Sequence, residues 1–305
     1  MAKQTLSRQR PLVLLLLFSL ALFLWGCAGE KEGQQHPEAT VRLDRLITLP
    51  EPTWEQEDET IRLAVAAILS PQGTVNSYRP LQAYMEQHFG KPVILVQRRT
   101  YQEVNELLAR ELVDVAFVCT GPFITGQREG IMEMLVVPQI SGKLTYHGQF
   151  IVLASSPYFT VHDLRGKSFA FTDPMSNTGY RYPMGVIQAQ GASAEQFFSQ
   201  IIFSYSHDRS ITAVLDGVVD GASVDRIVYD HALRRDPALE DRFRVIHRSQ
   251  EYGIPPVVVP PRLGEERKRL LRNFFLNIHR DPIGAEVLAK LGIERFVAGD
   301  IDLYN

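Results

Sequence analysis

The sequence predicts an α/β protein made of two doubly wound units. Three observations carry this. From residue 61 onward, short apolar runs of strand length alternate with stretches whose apolar residues recur at helical spacing. That alternation restarts near residue 149. Small polar residues collect where runs end and helical stretches begin, the place where parallel α/β sheets carry their ligand sites.

IRLAVAAIL (61–69) reads as the first strand, and in SPQGTVNSYRPLQAYMEQHFG the residues Leu81, Tyr84, Met85 and Phe89 share a helical face. PVILVQ is the second strand. Thr100 caps a helix over YQEVNELLARELV, with Val104, Leu107 and Leu108 on one face, and VDVAFV is the third strand. Short connections of this kind favour a parallel sheet wound by right-handed crossovers. In the second unit QFIVLAS and KSFAFT are strands, DPMSNTG is a turn into a helix, IIFSYS is a strand, ITAVLDGVVD an amphipathic helix and GASVD a short strand or turn. After RFRVIHRS and YGIPPVVVPP come the amphipathic helix EERKRLLRNFFLNIH and the shorter IGAEVLAKL.

The chain of 305 residues is 45% hydrophobic and 22% charged, an ordinary globular composition, and its net charge of −3 without a basic cluster argues against nucleic acid. Residues 1–26 stand apart. Lys3, Arg8 and Arg10 precede PLVLLLLFSLALFLWG, an apolar run shorter than the roughly 20 residues of a bilayer span, so a removed export signal is expected. Its loss takes three positive charges and no acid, moving the formal charge from −3 to −6. LWGC at 24–27 resembles the lipobox of bacterial lipoproteins, which makes Cys27 the expected lipidation site and membrane anchor. Trp25 is larger than that motif prefers, so ordinary cleavage near Gly26, Cys27 and Ala28, or an uncleaved anchor, stays open. Ala28 gives no acidic retention signal, which favours outer-membrane sorting in a cell with two membranes. A polar, proline-bearing stretch over 27–60 reads as a tether. With Cys27 lipidated, Cys119 has no partner for a disulfide and reads as a packed thiol.

Ser176, Asn177, Thr178 and Gly179 follow FAFT at a helix start, where backbone N–H groups point outward; the pattern fits a plain cap or a grip on an anion. Thr120 and Gly121 follow the third strand, and Ser70 and Gly73 the first. His207 and Asp208 fit a capped surface turn or an anion site in which the histidine donates. There an ionised Asp208, which only accepts, tolerates a protonated phosphorus oxyanion or an ammonium and repels sulfate. Tyr78, Tyr146, Tyr180 and Tyr205 lie near these junctions, as packing or as cleft lining. Ser206, His207 and Asp208 are consecutive and so ill placed to converge as a catalytic triad. The sequence carries no Cys-x-x-Cys, His-Glu-x-x-His or Walker-type loop, so no metal, nucleotide or other cofactor is expected, nor an enzyme.

YQEVNELLARELVDVAFV, TDPMSNTGY, SHDRSITAVLDGVVDGASVD and IPPVVVPPRL together resemble the substrate-binding proteins of phosphate/phosphite/phosphonate ABC transporters, from about Ile61 to Phe296. The resemblance implies the type II periplasmic binding-protein fold: two doubly wound lobes with a hinge, lobe I from 61–148 and 251–305, lobe II from 149–250. It places the anion-binding turn on Ser176, Asn177 and Thr178, the family's histidine and carboxylate on His207 and Asp208, and a second acceptor on Asp225. Some members have Glu where Asp208 stands, and an aromatic residue of the family is replaced around Phe117 to Cys119. The implied function is an extracytoplasmic lipoprotein that captures a phosphorus oxyanion and delivers it to a permease. The alternative is a periplasmic sensor that signals to a membrane histidine kinase.

Overall fold

The computed structural model describes residues 60–304. The expected export signal, the expected lipidation site Cys27 and the expected tether up to residue 59 lie outside the described residues. Among the described residues, no helix is long and apolar enough to cross a membrane.

The chain enters on β1 (Ile61–Val65), and α1 (Pro71–Phe89) follows. Ser70 caps α1 by accepting from the Gly73 N–H at 3.3 Å, and Gly90 closes it at φ 63°, a left-handed conformation that suits glycine. After β2 (Val93–Gln97) comes α2 (Tyr101–Ala109), held by the reciprocal bonds of a capping box. Thr100 Oγ1 accepts from Glu103 N at 3.2 Å while the Glu103 carboxylate accepts from Thr100 N at 2.9 Å. Next are β3 (Val115–Phe117), α3 (Thr120–Arg128), β4 (Glu133–Gln139), the two-residue β5 (Thr145–Tyr146) and β6 (Gly148–Leu153).

Beyond β7 (Ser168–Phe171), a π-helical turn over Asn177–Arg181 runs into α4 (Tyr182–Ala189). Then come β8 (Gln200–Phe203), α5 (His207–Leu215), β9 (Gly221–Asp225), α6 (Arg226–Arg235) and β10 (Phe243–Arg248). The chain returns through β11 (Tyr252–Gly253) and β12 (Val257–Val259) to α7 (Glu265–Asn277), α8 (Pro282–Leu291) and β13 (Arg295–Val297).

Six strands form one sheet in the order β13-β4-β12-β3-β1-β2, and five form another in the order β10-β6-β9-β7-β8. The first packs its core on both faces, with Leu63, Leu81, Val115, Phe123 and Phe275 fully buried. The second divides its core between two clusters, one around Phe150, Phe169 and Phe197, the other around Ile151, Val214 and Val224.

The expected parallel pairing holds among β1, β2 and β3 and among β7, β8 and β9, but both sheets are mixed. The cause is the crossing. β6 and β12 enter their sheets from the side shared with the other lobe, so each runs antiparallel to the neighbours that point toward that side. The two crossing segments pair with each other, Tyr146 opposite Tyr252 and Thr145 opposite Gly253. This two-stranded ribbon is the hinge of the fold.

Candidate functional site

The carboxyl ends of β1, β3, β7, β8 and β9 all face the space between the sheets. Four direct contacts close that space. The Asp208 carboxylate accepts from Ser70 N at 2.8 Å and from Ser70 Oγ at 2.5 Å. Asp173 Oδ2 accepts from Tyr101 N at 3.1 Å, and His207 N donates to Ile68 O at 3.0 Å. At the rim, Arg181 Nη2 donates to Thr125 Oγ1 at 2.9 Å. Asp208 and Asp173 thus each place a carboxylate at the N-terminus of a helix in the opposite lobe, where free N–H groups and the helix dipole favour negative charge. Gly121 is required by the same closure: a Cβ there would stand 2.1 Å from Met175 O and 3.0 Å from Asn177 N.

This corrects the expectation for Asp208. Its oxygens accept from Ser70 N, from Ser70 Oγ and from the Arg209 N–H at 2.9 Å, three of the about four acceptor positions of a carboxylate, so it latches the lobes together. The helix that ITAVLDGVVD suggests also starts earlier, at His207, with Ser206 in the capping position and Ser210 within it.

Inside the latch lie polar groups of another kind. Tyr101 OH, Tyr146 OH, Asn177 Nδ2, Thr178 Oγ1, Ser206 Oγ and His207 Nε2 are all buried without a hydrogen-bond partner. Tyr101 and Tyr146 are close enough to interact with each other and with Cys119 and Asp225. Thr120 and Asn177 flank the Tyr146 hydroxyl, but neither reaches good hydrogen-bond geometry with it.

His207 Nδ1 accepts the Asp225 N–H at 3.1 Å. Because that N–H can only donate, Nδ1 carries no proton in the neutral ring and Nε2 carries it. Thr172 Oγ1 stands 3.2 Å from the same Nδ1. Burial pushes the imidazole pKa down to about 3, so His207 is an uncharged donor through Nε2.

Asp225 is 1% exposed and caps α6, its Oδ1 accepting from Ile227 N at 2.6 Å and from Val228 N at 3.4 Å. Burial outweighs those bonds and raises its carboxyl to about 7. Cys119, also buried, has its thiol pushed up to about 12, mainly by burial and then by Asp225, which leaves it protonated and without nucleophilic character.

The other expected residues divide. Ser176 is a cap: its Oγ accepts from Gly179 N at 3.0 Å. Asn177 Nδ2 and Thr178 Oγ1, one and two residues on, are buried without a hydrogen-bond partner. Thr120 donates to the hinge carbonyl of Gly253 at 2.8 Å, which engages its hydroxyl. Tyr78 lies edge-on to Phe117 at 5.1 Å, in an apolar wall apart from the unpaired donors. Tyr180 packs on Phe171 and Phe203, and Tyr205 is 37% exposed, so neither joins the group.

Sequence reasoning did not single out Tyr101 or Asp173, and it set Ser206 at a strand-to-helix junction without naming it as a ligand residue. Tyr101 follows the Thr100 cap as the first residue of α2, the same kind of junction as the others. That position was the available signal.

The family model for the periplasmic substrate-binding protein of phosphonate ABC transporters matches residues 63–304. Over 236 residues, 73% of this chain and 73% of the relative, the sequence is 30% identical to the phosphate-import protein PhnD of Mycolicibacterium smegmatis. Among solved structures, a binding protein of an ABC phosphonate transporter from Pseudomonas aeruginosa superposes with a TM-score of 0.75 at 22% identity, covering 80% of this chain and 83% of that one. PhnD1 of Prochlorococcus marinus, solved with methylphosphonate, gives 0.72 at 15% identity over 81% and 95% of the two chains. With the matched region spanning both sheets and the hinge, the chain belongs to the family of periplasmic phosphonate-binding proteins of ABC transporters.

Proposed function

We propose that this chain captures a small phosphorus oxyanion, whether phosphate, phosphite or a phosphonate, between its lobes and delivers it to a transporter permease while anchored through Cys27. The observation that carries the reading is the set of six buried donors without partners. An unpaired buried polar group costs about 1–3 kcal/mol, so a fold that keeps several together calls for an acceptor-rich guest. A tetrahedral oxyanion presents several acceptors at once.

Asp225 takes the selective part that the sequence suggested for Asp208. With its carboxyl raised to about 7, it shares a proton with a ligand of second pKa near 6. Sulfate has no proton to share. The family and the phosphate-import relative support this ligand class.

The test is thermal unfolding with phosphate, phosphite, methylphosphonate and sulfate. A ligand at one hundred times its Kd adds about 2.7 kcal/mol of stability, a shift of several degrees. At least one phosphorus anion should produce it and sulfate should not; no shift with any of the three phosphorus anions contradicts the reading. Cys27→Ser should separately release the protein from the membrane fraction.

A further inference from the structure

The turn that carries the unpaired Thr178 hydroxyl cannot complete its own hydrogen bonding. In its π-helical pattern each carbonyl accepts from the N–H five residues on: Arg181 N donates to Ser176 O at 3.0 Å, and Tyr182 N donates to Asn177 O. The next carbonyl, Thr178 O, would need the N–H of residue 183, which is a proline and has none. Ser223 supplies the missing donor from β9, its Oγ donating to Thr178 O at 2.6 Å. We propose that Ser223 is a positioning residue of the ligand site: without touching the ligand, it aims the Thr178 hydroxyl at the anion by holding the Thr178 carbonyl. This rests on the anion reading above.

A serine buried in a central strand is ordinarily a satisfied core residue, but the partner of this one is not an ordinary core carbonyl. Ser223 is fully buried and its proton is committed, so it is not itself one of the unpaired donors. The acceptor it holds belongs to a residue that is. The following carbonyl, Gly179 O, is held in the same way by Thr172 N at 3.1 Å, from the residue after β7. Gly179 leaves no room between turn and sheet, since a Cβ there would stand 2.3 Å from Thr172 Oγ1. The Thr178 methyl is seated too: a Cβ on Gly148 would come within 3.2 Å of Thr178 Cγ2. With carbonyl and methyl both fixed, the rotamer of Thr178 is fixed, and its Oγ1 is the one polar atom of the side chain left for a guest. Ser223 also lies two residues before Asp225, so one strand sets both the turn and the buried carboxyl.

Calorimetry with phosphate, phosphite and methylphosphonate, on the wild-type protein and on variants, tests this. Ser223→Ala should weaken whichever of these anions the wild type binds by about tenfold, the scale of one hydrogen bond to a charged ligand. In a Thr178→Val background the same change should cost less than about threefold, because the hydroxyl that Ser223 aims is already gone. Ser223→Cys keeps the shape with a weaker donor and should bind about threefold more weakly than wild type. That variant decides the question if Ser223→Ala does not fold, and wild-type affinity in it would then overturn the proposal. A serine with a structural role alone would lower the melting temperature on replacement and leave affinity unchanged, or would add its full tenfold loss to that of Thr178→Val. Either result overturns the proposal and leaves the anion reading standing. If the wild type binds none of the three anions, both fall.

Discussion

Two sets of polar groups line the space between the sheets, and they differ in whether they are already paired. Asp208 with Ser70 and Asp173 with the Tyr101 N–H are complete within the protein. Tyr101 OH, Tyr146 OH, Asn177, Thr178, Ser206 and His207 Nε2 are not. The paired set fixes how the lobes meet, and the unpaired set defines what the closed space can hold. Removing a member of the first should change the population of the closed form; removing a member of the second should change affinity while sparing stability.

The largest effect should come from the unpaired set. Thr178→Val combined with Tyr146→Phe removes two donors to a charged ligand, at about 1.5–3 kcal/mol each, and so about 3–6 kcal/mol of binding by calorimetry. The unliganded protein should unfold no earlier than wild type, because both removed hydroxyls are buried and unpaired. A large loss of stability with binding intact would reverse the assignment.

Gly121→Ala probes closure alone. Its Cβ would meet Met175 O at 2.1 Å, a backbone atom of the other lobe. The overlap should cost binding about 1–3 kcal/mol and enlarge the ligand-saturated protein in solution scattering, while each lobe keeps its own core. Compaction equal to wild type would show that the lobes do not meet as tightly as this contact requires.

Asp208→Asn should weaken binding of every accepted anion by a common factor, about 1–2 kcal/mol, and leave the ranking against sulfate unchanged. A change in ranking would return Asp208 to the selective role that the sequence suggested. Ser176→Ala, by contrast, should lower stability by about 1 kcal/mol through its lost cap.

A pH series separates Asp225 from both sets. Its folded pKa, about 7, is raised by burial above the usual carboxylate value. The protonated form therefore stabilises the fold: that contribution is fully present below about pH 4 and is lost as the pH rises through about 7. Asp225→Asn should flatten this part of the stability profile in thermal melts from pH 4 to 8. An unchanged profile would mean that Asp225 stays ionised throughout.

Local features carried much of the fold in the sequence. Alternating runs marked β1, α1, β2, α2 and β3, and Thr100 announced its helix as a cap, a role it fills with Glu103 three residues on. The antiparallel entry of β6 and β12 was not legible, because it depends on which side the chain returns from. α3 contains Gly121, Pro122 and Gly126, a composition that local propensity reads as loop, and the reason for Gly121 lies in the opposite lobe while that for Gly126 lies in Met132 of its own. The site was half legible for the same reason. Junction chemistry pointed to Asn177, Thr178, His207 and Tyr146, whereas the role of Asp208 was decided by Ser70, 138 residues away. A serine and an aspartate so far apart carry no joint signal in a single chain.

The most direct test of the central claim is isothermal titration of the wild-type protein with phosphate, phosphite and methylphosphonate against sulfate at neutral pH. If the unpaired donors and Asp225 form a phosphorus oxyanion site, at least one of the three binds at micromolar Kd or tighter, about 8 kcal/mol, and sulfate binds at least one hundredfold more weakly. Equal binding of sulfate, or no binding of any of the three, would contradict it.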